Sequence, residues 1–211
     1  MRSLLLSFLL CILMNNIFAQ NLVPQKNENS WDFLDLQSNS VIKTNYELIQ
    51  FAFNGYFIFK KNGLYGVYQE ATKSELISPE YFSIKVFDNS NFLVANNEYL
   101  GIINKKNEII IPFKYTDLSI YKNNSQYIIA KEQNLYGVIN YENKTIVPFK
   151  FSTPPLHLSS IDRLLDSTYL IVSILKDNKN YYGLVNANFK TLIPYNFKTI
   201  APKYKSIECY D

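Results

Sequence analysis

Residues 134–151, NLYGVINYENKTIVPFKF, recur in altered form along almost the whole chain beyond residue 30. The triplet Tyr136-Gly137-Val138 has counterparts in Tyr65-Gly66-Val67, Leu100-Gly101-Ile102 and Tyr182-Gly183-Leu184. A proline comes after each one: Pro112, Pro148 and Pro194 stand 11 positions after their glycines, and Pro79 stands 13 after Gly66. An aromatic comes three residues after each proline, at Phe82, Tyr115, Phe151 and Phe197. One period before Tyr65, Trp31-Asp32-Phe33-Leu34-Asp35 reads as a fifth, worn copy, with Asp32 in the glycine's place and Lys43 in the proline's. The starts at Trp31, Tyr65, Leu100, Tyr136 and Tyr182 are separated by 34, 35, 36 and 46 residues. A period in this range marks stacked repeats rather than one irregular globule.

Within each copy the pattern predicts short strands joined by polar turns. In the third full copy Tyr127 to Lys131 is rich in bulky and β-branched residues, as strands are, and serves as strand A. Strand B runs from Tyr136 to Tyr141 and strand C from Thr145 to Pro148; strand D is seen in other copies at 82–87 and 116–121. Asparagines crowd the turns, where they tolerate left-handed backbone and bond their own main chain. Proline removes an amide donor, so it ends strand C or places it at a sheet edge. A glycine inside strand B weakens that strand, so its recurrence needs a cause. It is a bulge or, as preferred here, room for an aromatic ring to lie against bare backbone.

The frame of aromatic, glycine, polar turn, aliphatic pair, proline and aromatic, complete in the copy that begins Tyr136 to Asn140 and kept with Asp32 and Lys43 as substitutes in the copy that begins Trp31 to Asp35, resembles the WG (KWG) repeat. The resemblance covers the chain from about Trp31 to Ile200, with Trp kept only at Trp31 and Tyr or Leu in its place elsewhere. It implies a non-enzymatic binding or scaffold role and names no partner. Its residues here are structural: Trp31, Tyr65, Gly66, Pro79, Gly101, Pro112, Tyr136, Gly137, Pro148, Tyr182, Gly183 and Pro194.

The expected fold is all-β, built of tandem antiparallel meanders of about 35 residues. One such meander cannot keep its apolar face dry alone, so neighbours must cover it. An open superhelical, solenoid-like array satisfies this. The alternative is a closed five-bladed β-propeller in which a C-terminal strand near Lys205 to Tyr210 completes the first blade, which has no visible strand A before Trp31.

The chain's start reads differently. Arg2, an apolar run from Leu4 to Met14, and small and polar residues up to Ala19 have the three regions of a secretory signal peptide. That run is too short to span a bilayer, which needs roughly 20 residues. Residues 1–19 are therefore expected to be a signal peptide, 20–30 a linker and 31–211 one β-repeat domain. The protein is expected to be exported, to the periplasm, outer envelope or medium, with no membrane span after cleavage.

Removing residues 1–19 takes away one Arg and lowers the formal charge from +3 to +2. The one remaining Arg is Arg163, and the lysines are scattered among carboxylates, which argues against nucleic acid. Cys11 leaves with the leader and Cys209 then has no partner in the chain.

One place breaks the period. The gaps from Phe151 to Tyr169 and from Tyr169 to Gly183 are longer than their counterparts and account for the step of 46. The first insertion holds His157, the only histidine, with Arg163 and Asp166 nearby. Insertions in repeat proteins gather on one face, often the binding face, so these three are the candidate binding residues. One histidine and one cysteine do not make the usual zinc sets, no nucleophile elbow surrounds any serine, and no glycine-rich phosphate loop is present. No catalytic residue, metal or cofactor is expected. The functional expectation is an exported binding or scaffold protein with a protein or glycan partner in the cell envelope. The rival is a glycan binder or weak glycan hydrolase that uses acidic and aromatic surface residues.

Overall fold

The computed structural model describes residues 21–121, 125–154, 156–157, 169–186, 190–203 and 206–210. All its regular structure is β-strand, in six antiparallel sheets, none closed into a barrel. The first sheet is β1 (Leu22–Lys26), β2 (Trp31–Asp35) and β3 (Ser40–Tyr46). The second is β4 (Leu48–Phe53), β5 (Tyr56–Lys61), β6 (Leu64–Gln69) and β7 (Ser74–Tyr81). The third is β8 (Ser83–Val86), β9 (Asn91–Ala95), β10 (Leu100–Asn104) and β11 (Ile109–Tyr115). The fourth is β12 (Asp117–Ile120), β13 (Tyr127–Glu132), β14 (Leu135–Asn140) and β15 (Thr145–Phe151). The fifth is β16 (Leu156–His157), β17 (Tyr169–Lys176), β18 (Lys179–Asn186) and β19 (Thr191–Phe197), and the last is the pair β20 (Thr199–Lys203) and β21 (Ser206–Tyr210). The strands are laid down in chain order, so every sheet is a meander. Tight turns at Asn54-Gly55, Asn62-Gly63, Gln133-Asn134 and Asp177-Asn178 have positive φ at both residues, the type I′ geometry that matches strand twist.

The repeat-leading residues share one environment. Trp31 pairs with Tyr46, Leu100 with Tyr115, Tyr136 with Phe151 and Tyr182 with Phe197. In each of these pairs of strands the register slips just past that residue, at Asp32, Gly101, Gly137 and Gly183. Both proposed causes of the glycine therefore operate together: it sits at a bulge, and a ring covers it. A Cβ on Gly137 would stand 2.8 Å from Val147 O and 3.0 Å from the ring of Phe149. Phe113 covers Gly101 and Tyr195 covers Gly183 in the same way, whereas Gly66 is covered by Phe59 from the opposite strand. The covering ring also packs on the aromatic that ends an earlier meander: Phe59 on Tyr46, Phe113 on Tyr81, Phe149 on Tyr115 and Tyr195 on Phe151.

The chain divides into two compact units, one ending at Glu80 and one beginning at Tyr81. In the first, one core is built from both sheets: Leu22, Phe33 and Tyr46 pack with Ile49, Phe57, Phe59 and Tyr68. In the second, the third and fourth sheets share Leu93, Ile102, Ile111, Tyr115, Ile128 and Ile139. The fourth and fifth share Ile129, Val138, Val147, Phe151, Val172 and Val185. Consecutive residues Ile128 and Ile129 thus serve opposite faces of one sheet, since successive side chains alternate across a strand. Each buried aliphatic is worth about 1.5–3 kcal/mol relative to exposure, and neither face would be dry without the neighbouring sheet.

Several sequence expectations need correction. Residues 22–26, read as linker, form β1 and pair in full register with β2 from Leu22↔Asp35 to Lys26↔Trp31. The first meander therefore has its own strand A. The C-terminal strand does not complete it; β21 pairs with β20, from Thr199↔Tyr210 to Lys203↔Ser206. Strand D belongs to the sheet of the following copy, pairing with the next strand A, as Ser83↔Ala95 and Asp117↔Lys131 show. Pro148 does not end strand C but lies inside β15, which as an edge strand tolerates a residue without a donor. Pro79 is not the counterpart of Pro112. The oxygen facing Gly66 is that of Ile77, 11 residues on, where Gly101 and Gly137 face the residue 10 on, so one residue is inserted and Pro79 takes the place of Phe113. Tyr81, buried, is then the counterpart of Tyr115, and Phe82, 57% exposed, is not.

Candidate binding site

In both units the turns joining strands D to A and strands B to C lie at one end of the meanders, and a concavity opens there in each unit. The first belongs to the N-terminal unit. Its walls are Phe51, Phe53, Asn54 and Gly55 from β4 and the turn after it, Gln69, Glu70, Ala71 and Lys73 from the turn after β6, and Asn21 and Gln37, enclosing about 560 Å³. Phe51 and Phe53 are 53% and 48% exposed, high values for large rings. Phe51 is held edge-on against Phe57, with centroids 5.6 Å apart. Glu70 is committed to the fold, accepting the amides of Asn21 at 2.6 Å and Leu22 at 2.8 Å and so fixing the start of β1. Lys73 is tied to buried Asp35 at 2.6 Å. Lys73 in turn holds the Asp35 carboxyl well below the usual carboxylate range, with Ser38 adding to its effect.

Strand β4 is one of the two edge strands of its sheet, the other being β7. Its sequence, LIQFAF, contains no charge. Edge strands in soluble proteins are usually protected by lysine, proline or other charge, because an open ladder invites pairing. The outer strands β8 and β12 fit that rule with Lys85 and Asp117. Aligned on buried Ile49, Ile84 and Leu118, Phe51 stands where Val86 and Ile120 stand, and Phe53 stands where Asp88 does.

The second concavity, about 700 Å³, lies in the C-terminal unit and is lined by residues 88–91, 125–127, 140–142 and Ile146. Asp88 organises it. Its Oδ1 accepts the Ser90 and Asn91 amides, Asn91 Nδ2 reaches both carboxylate oxygens, and Tyr141 Oη donates to Oδ2 at 2.8 Å. Burial works to raise the Asp88 carboxyl, but the bonds from Asn91, Ser90 and Tyr141 outweigh it and hold it below its ordinary range. Burial, then the Asp88 charge, pushes the Tyr141 phenol far up. The pair stays locked as carboxylate and phenol throughout the neutral range.

Of the three candidate binding residues, His157 lies in β16, where its backbone pairs with Leu170; Arg163 and Asp166 lie outside the described residues, as do residues 1–19, expected to be a signal peptide. Sequence patterning does not single out Phe51, Phe53 and Tyr141 because, in a chain with 16% aromatics, aromatics are assigned to the core by default, nor Asp88, which reads as an ordinary turn residue. The usable signal was departure from the repeat frame: Tyr141 stands where the copies of Gly66 and Gly101 have Glu70 and Lys105. Among the described residues no group of three His, Cys, Asp or Glu is placed to hold a metal, and no helix is long and apolar enough to cross a membrane. Cys209, on β21, is partly exposed.

No curated protein matches the chain. Among solved structures it is similar to a eukaryotic initiation factor, with 11% identity over 86% of this chain and 65% of that one and a TM-score of 0.39. It is also similar to a quinonprotein alcohol dehydrogenase-like protein from Bacteroides thetaiotaomicron, with 10% identity over 89% of this chain and 54% of that one and a TM-score of 0.38. A third is TolB from Acinetobacter baumannii, with 9% identity over 81% and 50% and a TM-score of 0.33. The chain spans about half to two thirds of the length of these structures. The family model described as WG containing repeat matches residues 33–65 and 101–136, about a third of the chain. Those two stretches match the WG containing repeat, and the same glycine-and-ring frame recurs in the meanders around them.

Proposed function

We propose that this is an exported, non-enzymatic binding or scaffold protein that receives an extended segment of a protein partner along β4. The observation that carries the reading is the uncharged outer strand of the N-terminal unit, with Phe51 and Phe53 exposed on it beside a groove. An incoming strand would satisfy the open ladder through main-chain hydrogen bonds, while its alternate side chains take cover against the two rings. Export rests on the leader pattern of residues 1–19, and the non-enzymatic role on the WG repeat and on the absence of any catalytic motif in the sequence.

The test is site-specific photo-cross-linking from position 50 in the native host, compared between the parent and a Phe51→Ala/Phe53→Ala variant that retains the parent's melting temperature. One partner, attached in a constant register and lost in the variant, supports the reading. Attachment unchanged by the variant overturns it, as does retention on envelope polysaccharide that depends on the two rings. Sequencing the N-terminus of the exported protein should begin at Gln20; an intact leader on cytoplasmic protein overturns the export half.

A further inference from the structure

We infer that the cup between the third and fourth sheets, walled by Tyr141 and Asp88, is a separate binding site for a neutral saccharide. The argument begins with rigidity. Tyr141 comes from the turn after β14 and Asp88 from the turn after β8, 53 residues apart, and their bond fixes the ring across the junction of two meanders. Phe87 meets the same ring edge-on at 6.4 Å. A ring held this way loses little freedom when a ligand lies against it, which favours binding.

The lining then selects the ligand by elimination. Among the described residues it contains no Lys, Arg or His, and it has two carboxylates, Asp88 and Glu142, which disfavour phosphate, sulfate and carboxylate ligands. A metal finds too few ligands, because both oxygens of Asp88 are already taken by donors. A cation is attracted by both carboxylates, but the Asp88 oxygens already face protein donors, so direct contact is left to exposed Glu142. An apolar ligand would cover the exposed polar residues Asn89 and Ser90 without offering them partners. What remains is a ligand that both donates and accepts hydrogen bonds around its rim and offers an apolar face to a ring, and a neutral sugar has that chemistry. The frame of the repeat requires neither Tyr141 nor Asp88, as the other copies show, so the pair is an addition to the fold rather than part of it.

The test is calorimetric titration of the full exported chain with neutral tetrasaccharides of glucose, xylose and N-acetylglucosamine, with inositol hexakisphosphate and choline as anionic and cationic controls. At least one neutral tetrasaccharide should bind. Asn89→Ala/Glu142→Ala, two exposed positions, should weaken it tenfold or more at unchanged melting temperature, and Phe51→Ala/Phe53→Ala should leave it unchanged. No neutral tetrasaccharide binding, binding indifferent to the Asn89/Glu142 change, or binding of choline or the phosphate in place of sugar each overturns the inference. Because the Phe pair lies in the other concavity, failure here is distinguishable from failure of the β4 reading.

Discussion

Tyr115 donates its phenol hydrogen to Asn143 Oδ1 at 2.6 Å, joining the last strand of one meander to the turn of the next. The same device appears at Tyr81, which donates to Asn107 Oδ1 at 2.6 Å, and in the N-terminal unit at Tyr46, which donates to Glu75 Oε1 at 2.8 Å. Asn107 and Asn143 both hold left-handed backbone, with φ of 65° and 59°. Each turn residue thus shapes its own hairpin and also anchors its neighbour. Tyr115→Phe keeps the ring on Phe149 and loses this bond together with the hydroxyl's contact with half-exposed Lys114, so stability in urea should fall by about 0.5–1.5 kcal/mol. A larger loss would mean that the ring itself had moved.

Gly137 admits no side chain where it stands. A Cβ there meets the carbonyl oxygen of Val147 at 2.8 Å, and backbone cannot swing aside as a side-chain tip can. Gly137→Val should lower the melting temperature, and Gly137→Ala should lower stability by about 1–3 kcal/mol, the range for overpacking. Gly63 is the contrast. It has open space around a Cβ but φ of +80°, so Gly63→Ala should cost about 1–2 kcal/mol through backbone strain, and Gly63→Asn should cost less. Equal losses from Gly63→Ala and Gly63→Asn would argue against this distinction.

Asp32 fills the glycine's place in the worn copy because Thr44 replaces the covering ring there. Its carboxylate accepts the amides of Thr44 at 2.9 Å and Asn45 at 3.2 Å, and bonds Lys43 at 2.8 Å and Asn27 at 2.5 Å. Asp32→Gly strands those donors and opens a hole, so it should cost about 1–3 kcal/mol. Adding Thr44→Phe to it should recover part of the loss, and no recovery would refute the exchange of ring for carboxylate.

The same carboxylate sets a pH dependence. Burial opposes ionisation, yet the bonds from Lys43, Thr44, Asn45 and Asn27 prevail and lower the Asp32 pKa to about 2. An unfolded Asp titrates near about 3.9, so the stabilisation is full above that value and is lost as pH falls through about 2. Between these limits, the fall in stability with acid should be shallower in Asp32→Asn than in the parent, measured by denaturant titration at each pH.

Tyr68 is buried in the N-terminal unit, and its hydroxyl has no hydrogen-bond partner among the described residues. Burial, then the nearby Glu75 charge, raises its pKa. Removing an unsatisfied buried hydroxyl relieves a desolvation penalty, so Tyr68→Phe should raise stability by about 1 kcal/mol. A loss of stability would reveal a partner for that hydroxyl.

The sequence by itself determined the period, the β class, the asparagine turns and the ring over each glycine, because these are local: strand alternation and the lack of a Cβ act within one meander. The same locality explains where reading by spacing failed. A single inserted residue before Ile77 moved Pro79 out of register with Pro112, and only the oxygen facing Gly66 exposed it. Strand β1 was invisible because Leu22 to Lys26 has one buried residue, Leu22, and draws its order from pairing with β2 and from Glu70 at its start. Tertiary structure alone decided which aromatics are core and which are surface. Phe51 and Phe57 are the same residue type six positions apart, yet one is 53% exposed and the other fully buried. It also brought Asp88 to Tyr141 across 53 residues. Both outcomes depend on which sheet covers which, and no pattern within a single repeat contains that information.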